Sequence, residues 1–527
     1  MTAERRAVAV SRRRATDAHA PLFHFIAPEG PAVPFDPNGA IWWKGRYHLF
    51  YIFQDPDLPH GGHCWGHASS ADLLQWTYHP TALAPAPGDP DTGIFSGGAF
   101  IDKTGVPTII YHGVGAGTCL ARALDDELIE WEKYPENPVI PETREGAEGF
   151  GVYNVFDPHC WLEGDTYYAI LGGKVKPHDL RDTAYLFTSQ DLISWRYERP
   201  FYHPHPHWTG EEEDCACPDF FYLPGSTAGS VNPDQGRHCL VCISHPRGAR
   251  YYLGDWRDGT FIPESHTRMN WPGGGCFAPE TLLDGDGRRI FWAWAIEARP
   301  WFLDGKQALG VMTMPRVLSL GDDGQLRIAP PVELRQLRQG ADLVTESSDG
   351  PGESGDQSGT QVGSPRERHE ELELTGQRQE LSLAGDALEI LVEADRLCRV
   401  ELDVRRTPDG AETTSIILDP QAGSVSIDTT QSSLDADVWR SDPIVMADDR
   451  VDVPVQVAPL SVCDGDPLRL HVFVDRSIIE VFVNERVCMT GRAYPSRADA
   501  TGVAIRGEGT VRIQGWQLGV AAGLPAM

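Results

Sequence analysis

Three acidic segments carry the residues with which this sequence could do chemistry. They span residues 35–39 (FDPNG), residues 156–158 (FDP) and residues 211–219 (EEEDCACPD). Two carboxyl groups can cleave a glycosidic bond, because one attacks or stabilises the anomeric carbon while the other protonates the leaving oxygen. Taken singly, each segment has a plainer interpretation, since Asp-Pro-Asn-Gly is a turn sequence and an acidic run is usually a solvated loop. Their meaning therefore depends on the elements that position them.

Those elements are predicted to be β-strands. Short apolar segments bounded by Gly, Asp and Pro fill the first two-thirds of the chain, for example residues 48–53 (HLFYIF), 166–171 (TYYAIL) and 289–294 (RIFWAW). Segments of this length and flanking composition are typical of strands, and runs with a helical period are almost absent. The sequence predicts an all-β chain.

A turn motif with Asp, Leu and Trp repeats along this region. It ends at Trp76, Trp131 and Trp195, and a weaker fourth copy ends at Trp256. A period of about 60 residues with several short strands per copy is what a β-propeller blade requires. The chain has room for five such blades before its composition changes.

The composition changes after the repeats. Residues 347–368 are rich in Gly, Ser, Asp and Glu, which is typical of a linker or a long surface loop. Residues 468–475 and 478–484 then alternate again and are predicted to form a hairpin within a β-sandwich. The predicted organisation is a disordered leader over 1–20, a five-bladed β-propeller over 21–335, a linker over 336–370 and a β-sandwich over 371–522.

Charge and cysteine content narrow the class of protein. Lys and Arg total 45 against 76 Asp and Glu, a net charge of −31, which repels nucleic acid and anionic lipid. Apolar runs fall short of the roughly 20 residues that span a bilayer. The N-terminal arginines have no apolar stretch after them, so they do not form a secretory signal. Eleven scattered cysteines do not make a zinc pattern, and reduced thiols predict a cytoplasmic protein.

Considered together, the acidic segments and the repeats resemble glycoside hydrolase family 32, the β-fructosidases. The resemblance covers nearly the whole chain and consists of motifs in the family's order. These motifs are FDPNG at 35–39, YHLFY at 47–51, WGH at 65–67, FSG at 95–97, DP at 157–158, CPDFF at 217–221, FVDRS at 473–477 and EVF at 480–482.

The resemblance implies a retaining mechanism on a terminal β-D-fructofuranosyl unit. Asp36 would be the nucleophile, and Asp157 would hold fructose hydroxyls and stabilise the transition state. It implies no metal and no organic cofactor. The Asp36 and Asp157 carboxylates should then converge on one pocket. Residues that would shape the fructose subsite are Asn38, Trp65, Phe95, Ser96 and Gln54, with Ile52 as the ungapped alternative to Gln54.

Three positions depart from the family pattern. Phe35 and Phe156 replace an Asn and an Arg, which would remove polar partners for the substrate. The family's acid/base Glu in its Glu-Cys-Pro motif falls on Ala216, which cannot transfer a proton. Another carboxyl must act as the acid, or the protein is not an ordinary hydrolase.

Several carboxyl groups could replace the missing acid. On a regular strand Asp214 would share a face with Ala216, while Cys215 and Cys217 would point to the other side. The neighbouring acidic residues 211–213 would raise the pKa of Asp214 by like-charge repulsion. Glu280 is a second candidate, a displaced residue among 211–213 is a third, and the site could also lack an acid.

The resulting prediction is a hydrolase that releases fructose from sucrose or short fructo-oligosaccharides. A fructosyl transferase with the same covalent intermediate is an alternative, and so is a catalytically inactive fructan-binding or sensing protein. The absence of an evident basic pocket favours an uncharged substrate over sucrose 6-phosphate. The expected partner is a small carbohydrate, with neither nucleic acid nor membrane, and a dimer could form through the sandwich.

Overall fold

A computed structural model describes most of the chain. It covers residues 3–28, 32–55, 57–58, 62–227, 230–297, 310–339, 370–436, 438, 453–460 and 467–520. Antiparallel sheets dominate these ranges, arranged as a propeller followed by a sandwich, which confirms the predicted fold class. None of the helices within the described ranges is long and apolar enough to cross a membrane.

The propeller consists of five antiparallel blades in sequence order, each built on four strands, and blade 2 has one added short strand. Blade 1 contains β1 (Pro37–Trp43), β2 (Arg46–Phe53), β3 (Cys64–Ser70) and β4 (Trp76–Leu83), and blade 2 contains β5 (Ile94–Ile101), β6 (Pro107–Gly113), β7 (Gly117–Ala123), β8 (Trp131–Lys133) and β9 (Ile140–Pro141). Blade 3 contains β10 (Pro158–Glu163), β11 (Thr166–Val175), β12 (Leu180–Ser189) and β13 (Trp195–Pro200). Blade 4 contains β14 (Ala216–Thr227), β15 (Ser230–Ser244), β16 (Gly248–Arg257) and β17 (Thr260–Arg268), and blade 5 contains β18 (Cys276–Leu283), β19 (Arg289–Ala295), β20 (Arg316–Leu320) and β21 (Leu326–Ala329).

The repeated tryptophan motif forms the turn into the fourth strand of blades 1 to 3. The indole N–H groups of Trp76, Trp131 and Trp195 each donate to the carbonyl oxygen of the leucine three residues earlier, at 3.2, 2.9 and 2.8 Å. The predicted fourth copy is wrong. Trp256 lies in the third strand of its blade, and β16 continues past it into a two-residue turn at 258–259. This tight Asp-Gly hairpin leaves no room for the longer motif.

The ring of blades is closed by the segment that precedes blade 1. Residues 25–27 pair with residues 310–312, through the bridge between Ile26 and Val311 and through flanking backbone hydrogen bonds of 2.8 and 3.0 Å. Because the two segments are far apart in sequence, this closure joins the first and last parts of the propeller.

The prediction of a disordered leader over 1–20 is wrong for residues 3–20, the part that the structure describes. Residues Ala3–Thr16 form helix α1, which packs against β4. Arg6 is fully buried, where it donates to the hydroxyl of Thr81 at 2.6 Å and lies 3.4 Å from the carboxylate of Asp55. An arginine-rich segment without an apolar stripe was expected to be solvated, but these tertiary contacts with blade 1 order it.

The second domain is a β-sandwich. After a 3-10 helix (Val332–Leu337), its strands are β22 (Arg338–Gln339), β23 (Glu370–Thr375), β24 (Gln379–Ala384), β25 (Ala387–Ala394), β26 (Val400–Arg406), β27 (Thr414–Asp419), β28 (Ser424–Asp428), β29 (Val455–Pro459), β30 (Leu468–Asp475), β31 (Ile478–Val483), β32 (Val487–Arg492) and β33 (Gly502–Leu518). The first half of β33 pairs with β26 and the second half with β25, so this long strand passes from one layer to the other. The predicted hairpin of β30 and β31 is confirmed.

The predicted linker over 336–370 is only partly described. Residues 336–339 belong to the 3-10 helix and to β22, which pairs with the end of β33, so they are not part of a loop. Residue 370 begins β23. The remaining residues, 340–369, lie outside the described residues.

Two buried acidic residues fasten the sandwich to the propeller. Asp475 accepts hydrogen bonds from the backbone N–H groups of residues 22–24 at 2.6–3.0 Å and lies 2.8 Å from Nδ1 of His24. Glu480 forms an ion pair of 3.0 Å with Arg316 of β20, and both side chains are fully buried. These residues belong to the FVDRS and EVF motifs, so both motifs serve the domain interface.

Candidate active site

The acidic segments meet where the innermost strands of the blades begin. Neighbouring blades contact one another through their first strands, which places the starts of these strands around a common centre. Asp36 directly precedes β1 and Asp157 directly precedes β10, while Ser96 lies in β5 and Cys217 in β14. Residues distant in sequence are therefore gathered at one end of the propeller.

The backbone is irregular where the first strands of the blades begin. Four of the five first strands have a register shift near their start, and a bulge of this kind can redirect a side chain. Cys217 and Ala278 within two of these shifts have φ of 45° and 46°, and Asp157 before β10 has φ of 33°. Such strained conformations in non-glycine residues are concentrated at functional sites.

The carboxylates of Asp36 and Asp157 lie close together. The sulfur of Cys217 is 4.0 Å from Oδ2 of Asp36 and 3.5 Å from Oδ2 of Asp157. The distance between the two oxygens therefore cannot exceed the sum of these two distances. The backbone N–H of Cys217 also donates to Asp157 at 3.0 Å. One sugar ring can therefore touch both carboxylates, as the sequence predicts.

The two oxygens of Asp36 have different surroundings. Ser96 donates its hydroxyl to Oδ2 at 2.8 Å, whereas Oδ1 has no hydrogen-bond partner among the described residues. The backbone carbonyl of Asp36 accepts from the side-chain amide of Asn38 at 2.8 Å and from the N–H of Ile52 at 3.1 Å. The hydrogen bond from Ser96 thus orients the carboxylate, and its buried Oδ1 has no partner within the described residues.

Asn38 links two blades at the site. Its side-chain oxygen accepts a hydrogen bond from the N–H of Gly97 at 3.0 Å. A Cβ at Gly97 would lie 2.0 Å from the carbonyl oxygen of Ile110, so no other residue fits at the end of the FSG motif. Asn38 is almost fully buried, which makes it a support for Asp36 and for β5.

Both site carboxyls are hard to ionise. Burial and the charge of Asp157 raise the pKa of Asp36 to about 7, against the lowering effects of Ser96 and His245. Burial likewise raises the pKa of Asp157, although nearby His112 and the N–H of Cys217 act in the opposite direction. Neighbouring carboxyls with raised pKa values are typical of catalytic sites.

A row of aromatic rings and imidazoles surrounds the carboxylates. Phe95 lies 6.4 Å from His112, which lies 5.2 Å from Phe156. His245 lies 6.3 Å from Phe156 and 6.1 Å from Phe277, measured between ring centroids. Phe156, which replaces the family's arginine, therefore contributes an apolar wall instead of a charge.

Two of the residues expected to bind substrate occupy supporting positions. Trp65 is fully buried and donates its indole N–H to the backbone carbonyl of Phe95 at 3.0 Å, so it helps to position Phe95. Gln54 lies 3.3 Å from Nε2 of His63, whose ring is 4.8 Å from Phe95. Gln54 is thus linked to Phe95 through His63, whereas Trp65, being fully buried, does not line the pocket.

Phe35 does not face the site. Its side chain is fully buried and packs against Phe25 and Tyr51, at 6.2 and 5.3 Å between ring centroids. The expectation that this departure removes a polar partner from the substrate is therefore wrong for Phe35. The side chain belongs to the core of blade 1.

The alternation expected around Ala216 is also wrong. The register of β14 shifts between Ala216 and Asp219, and the positive φ of Cys217 turns its sulfur toward the two carboxylates. The side chain of Ala216 is fully buried in an apolar cluster that includes Ile243 and Phe277. Ala216 consequently does not line the pocket.

Asp214 is held as a charged acceptor and is therefore a poor proton donor. Its carboxylate lies 2.6 Å from Nδ1 of His245 and accepts the backbone N–H of His245 at 2.9 Å. Burial would raise the pKa of Asp214, but these interactions and the charge of Arg250 outweigh it and lower the pKa. The expected increase is wrong because these partners prevail over residues 211–213.

The rest of the acidic loop is paired with arginines. Glu213 is buried and bound by Arg250 and Arg268 at 2.6 and 2.7 Å. Burial is outweighed by Arg268, by the N–H of Gly210 and by Arg250, so the pKa of Glu213 falls to about 2. Glu212 is exposed and lies 3.2 Å from Arg247.

Glu280 is placed along β18, three residues beyond Phe277. Its Oε1 accepts the backbone N–H of Ala40 at 2.9 Å. Burial and the charge of Asp219 raise the pKa of Glu280 well above its ordinary value. Glu280 is therefore a buried acid that joins β18 to β1.

The sequence reasoning missed His245. This residue follows β15, and the pairing of Ala216 with Ile243 brings it beside Asp214. The chain between them forms one long, irregular hairpin, so the register could not be read from the residue pattern. The Ser-His-Pro sequence after an apolar strand was the only local signal.

Comparisons with known proteins point to one family over most of the chain. The family described as "Glycosyl hydrolases family 32 N-terminal domain" matches residues 24–330, and "Glycosyl hydrolases family 32 C terminal" matches residues 352–518. Sucrose-6-phosphate hydrolase of Escherichia coli is 28% identical over 543 residues, with 98% of each chain covered. The protein of the same name from Bacillus subtilis is 30% identical over 62% of this chain and 67% of its own.

Solved structures show the same fold. Fructan 1-exohydrolase IIa from Cichorium intybus superposes with a TM-score of 0.75 at 21% sequence identity, covering 96% of this chain and 98% of that chain. The fold is therefore shared over nearly the whole chain.

Proposed function

Because the chain belongs to glycoside hydrolase family 32, we propose that its paired carboxylates release terminal β-D-fructofuranosyl units from sucrose or fructo-oligosaccharides. The observation that carries this proposal is the convergence of Asp36 and Asp157 on the sulfur of Cys217. The protein is a β-fructofuranosidase-like glycosidase.

Asp36 is the nucleophile in this proposal. Its carboxylate is oriented by the hydrogen bond that Ser96 donates to Oδ2, and one of its oxygens would attack the anomeric carbon of the bound sugar. Attack forms a covalent fructosyl-enzyme, which water then hydrolyses. Two successive displacements retain the configuration of the sugar.

Asp157 stabilises the charge that develops on the ring. It lies beside Asp36 and is fixed by the N–H of Cys217, so its carboxylate faces the same sugar. A positively charged, oxocarbenium-like transition state is attracted to a preorganised anion more strongly than the neutral substrate is.

The charges around the site support an uncharged substrate. Two arginines beside the acidic loop are already paired, Arg247 with Glu212 and Arg268 with Glu213, at 3.2 and 2.7 Å. A phosphate would have to compete with these carboxylates. The expected preference is therefore for sucrose over sucrose 6-phosphate, which the ratio of kcat/KM values tests.

The experiment is an assay of the purified protein with sucrose, 1-kestose, inulin and levan. Hydrolysis gives glucose and fructose from sucrose in equal amounts, whereas transfer leaves fructose below glucose. In the presence of methanol, a retaining enzyme forms methyl β-D-fructofuranoside and an inverting one forms the α-anomer. Lack of turnover on every fructoside, with binding retained, would favour an inactive binding protein.

We further propose that the enzyme works in the cytoplasm. Ten cysteines within the described ranges carry free thiols, which suits a reducing compartment. Cell fractionation, followed by detection of the protein in each fraction with a specific antibody, tests this location. Dimerisation through the sandwich stays a prediction, to be measured by light scattering.

A further inference from the structure

We propose that His245, oriented by Asp214, is the general acid and base of this site. The assignment rests on the proposed fructosidase function and deepens it. It gives the proton-transfer role, which Ala216 cannot perform, to a histidine on the neighbouring strand of the same blade.

The geometry of the pair is the first support. Nδ1 of His245 lies 2.6 Å from Oδ2 of Asp214, and the backbone N–H of His245 donates to Oδ1 at 2.9 Å. Since a carboxylate only accepts hydrogen bonds, Nδ1 must carry a proton. The exchangeable proton is therefore on Nε2, for which the described residues supply no hydrogen-bond partner.

The position of the ring is the second support. His245 lies between Phe156, which directly precedes Asp157, and Phe277 of β18. The side chain remains 54% exposed, so a substrate or a water molecule can reach it. Asp214, in contrast, is mostly buried behind the ring.

Electrostatics suit an acid that is protonated before the reaction. Burial would lower the pKa of His245, but the hydrogen bond and charge of Asp214, together with the charges of Asp157 and Asp36, raise it above its ordinary value. The interaction is mutual, because the charge of His245 acts to lower the pKa of Asp36 and of Asp157. A positive imidazolium and an ionised nucleophile thus favour each other.

The proton transfers balance over both steps. As Asp36 forms its bond to the anomeric carbon, the glycosidic C–O bond breaks and Nε2 gives its proton to the leaving oxygen, which leaves a neutral imidazole. In the second step Nε2 takes a proton from water while the water oxygen attacks the same carbon. The ester bond to Asp36 breaks, and both the carboxylate and the imidazolium are restored.

The structure favours His245 over the other acids. Asp214 and Glu213 have lowered pKa values and are bound to cations, and Glu280 binds the backbone of Ala40. His245 alone among these groups combines exposure with a contact to the wall of the pocket.

The test compares two substrates in His245→Ala. Sucrose has a poor leaving group, so its kcat/KM should fall by about 10²–10⁴-fold. β-D-Fructofuranosyl fluoride needs little protonation, so the first step should survive as a burst of fluoride, with the fructosyl-enzyme accumulating in intact-protein mass spectra. Azide, which attacks without a base, should restore turnover and release fructosyl azide.

Asp214→Asn tests the positioning role. The loss of its negative charge should lower the pKa of His245 and move the alkaline limb of the kcat/KM profile to lower pH, which a purely structural defect would not do. Matched controls are His178→Ala and Asp126→Asn, both at exposed turns. Both should leave the rates and the profile unchanged.

The outcomes separate the two proposals. An active wild-type protein with an unimpaired His245→Ala variant overturns the dyad and leaves the fructosidase function standing. Equal losses on both substrates, without a fluoride burst or azide rescue, also overturn it. A wild-type protein that neither turns over sucrose nor forms an adduct with the fluoride refutes the proposed function, and the dyad with it.

Discussion

Asp36 illustrates how one residue is shaped by opposing requirements. Its carboxylate must be ionised to attack, yet burial and the charge of Asp157 raise its pKa to about 7. Ser96 offsets part of this effect by donating a hydrogen bond to Oδ2. The residue is thus a reactive nucleophile because its charge is poorly stabilised.

Replacing this carboxylate should abolish turnover. Asp36→Asn keeps the shape of the side chain but removes the attacking oxygen, so we expect kcat for sucrose to fall by several powers of ten. Steady-state assays on protein with an unchanged circular dichroism spectrum measure the effect. Unimpaired fructose release by this variant would refute the assignment.

The same substitution should stabilise the protein at alkaline pH. Between about pH 4 and pH 7 the folded state holds a proton on Asp36 that the unfolded chain releases, so rising pH lowers the free energy of unfolding by up to roughly 1.4 kcal/mol per unit. Asp36→Asn removes this penalty. Its melting temperature should exceed that of the wild type by a few degrees at pH 8 but by little at pH 4.5. An equal gain at both pH values would contradict this explanation.

At the scale of elements, the bulge in β14 decides which side chains reach the pocket. A regular strand would place Asp214 and Ala216 on one face, but the shift between Ala216 and Asp219 presents Cys217 instead. The strand therefore contributes a sulfur and a backbone N–H to Asp157, and it leaves the proton transfer to the end of β15.

Restoring the family's glutamate should not restore its function. Ala216→Glu would place a carboxyl in an apolar, fully buried environment, at a cost of about 2 kcal/mol or more in unfolding free energy. We expect a lower melting temperature and no recovery of sucrose hydrolysis when it is combined with His245→Ala. Ala216→Met separates the effect of volume from that of charge, and recovered hydrolysis would show that position 216 reaches the substrate.

The sequence predicted the parts of this site that depend on motif order. Alternating strands and the repeat were sufficient for the propeller, and Asp36, Asn38, Ser96 and Asp157 lie together as expected. His245 could not be predicted because its position depends on the register of one irregular hairpin. The pKa of Asp214 depends on that same partner, so its direction was predicted wrongly.

At the scale of the whole molecule, buried charges join the two domains. Arg316 and Glu480 are both fully buried, and Arg316 also donates to the hydroxyl of Thr490 at 2.6 Å. Desolvation makes such a pair a modest contributor in total, but removal of one member leaves the other charge without compensation.

Glu480→Ala should therefore destabilise the whole protein. We expect a loss of about 3–5 kcal/mol in the free energy of unfolding and a clearly lower melting temperature by calorimetry. The matched control is Glu393→Ala, which breaks the exposed pair with Arg469 and should cost at most about 1 kcal/mol. Similar small effects for both variants would show that the buried pair does not hold the domains.

The closure of the propeller by residues 25–27 has a consequence during synthesis on the ribosome. Residues 25–27 pair with residues 310–312. The neighbouring His24 binds Asp475, which is synthesised 451 residues later. At about 5–20 residues per second, the first segment of the nascent chain remains without these partners for roughly 20–90 seconds. Until these partners have been synthesised the segment cannot complete its pairing, so we expect the ring of blades to close only late in translation.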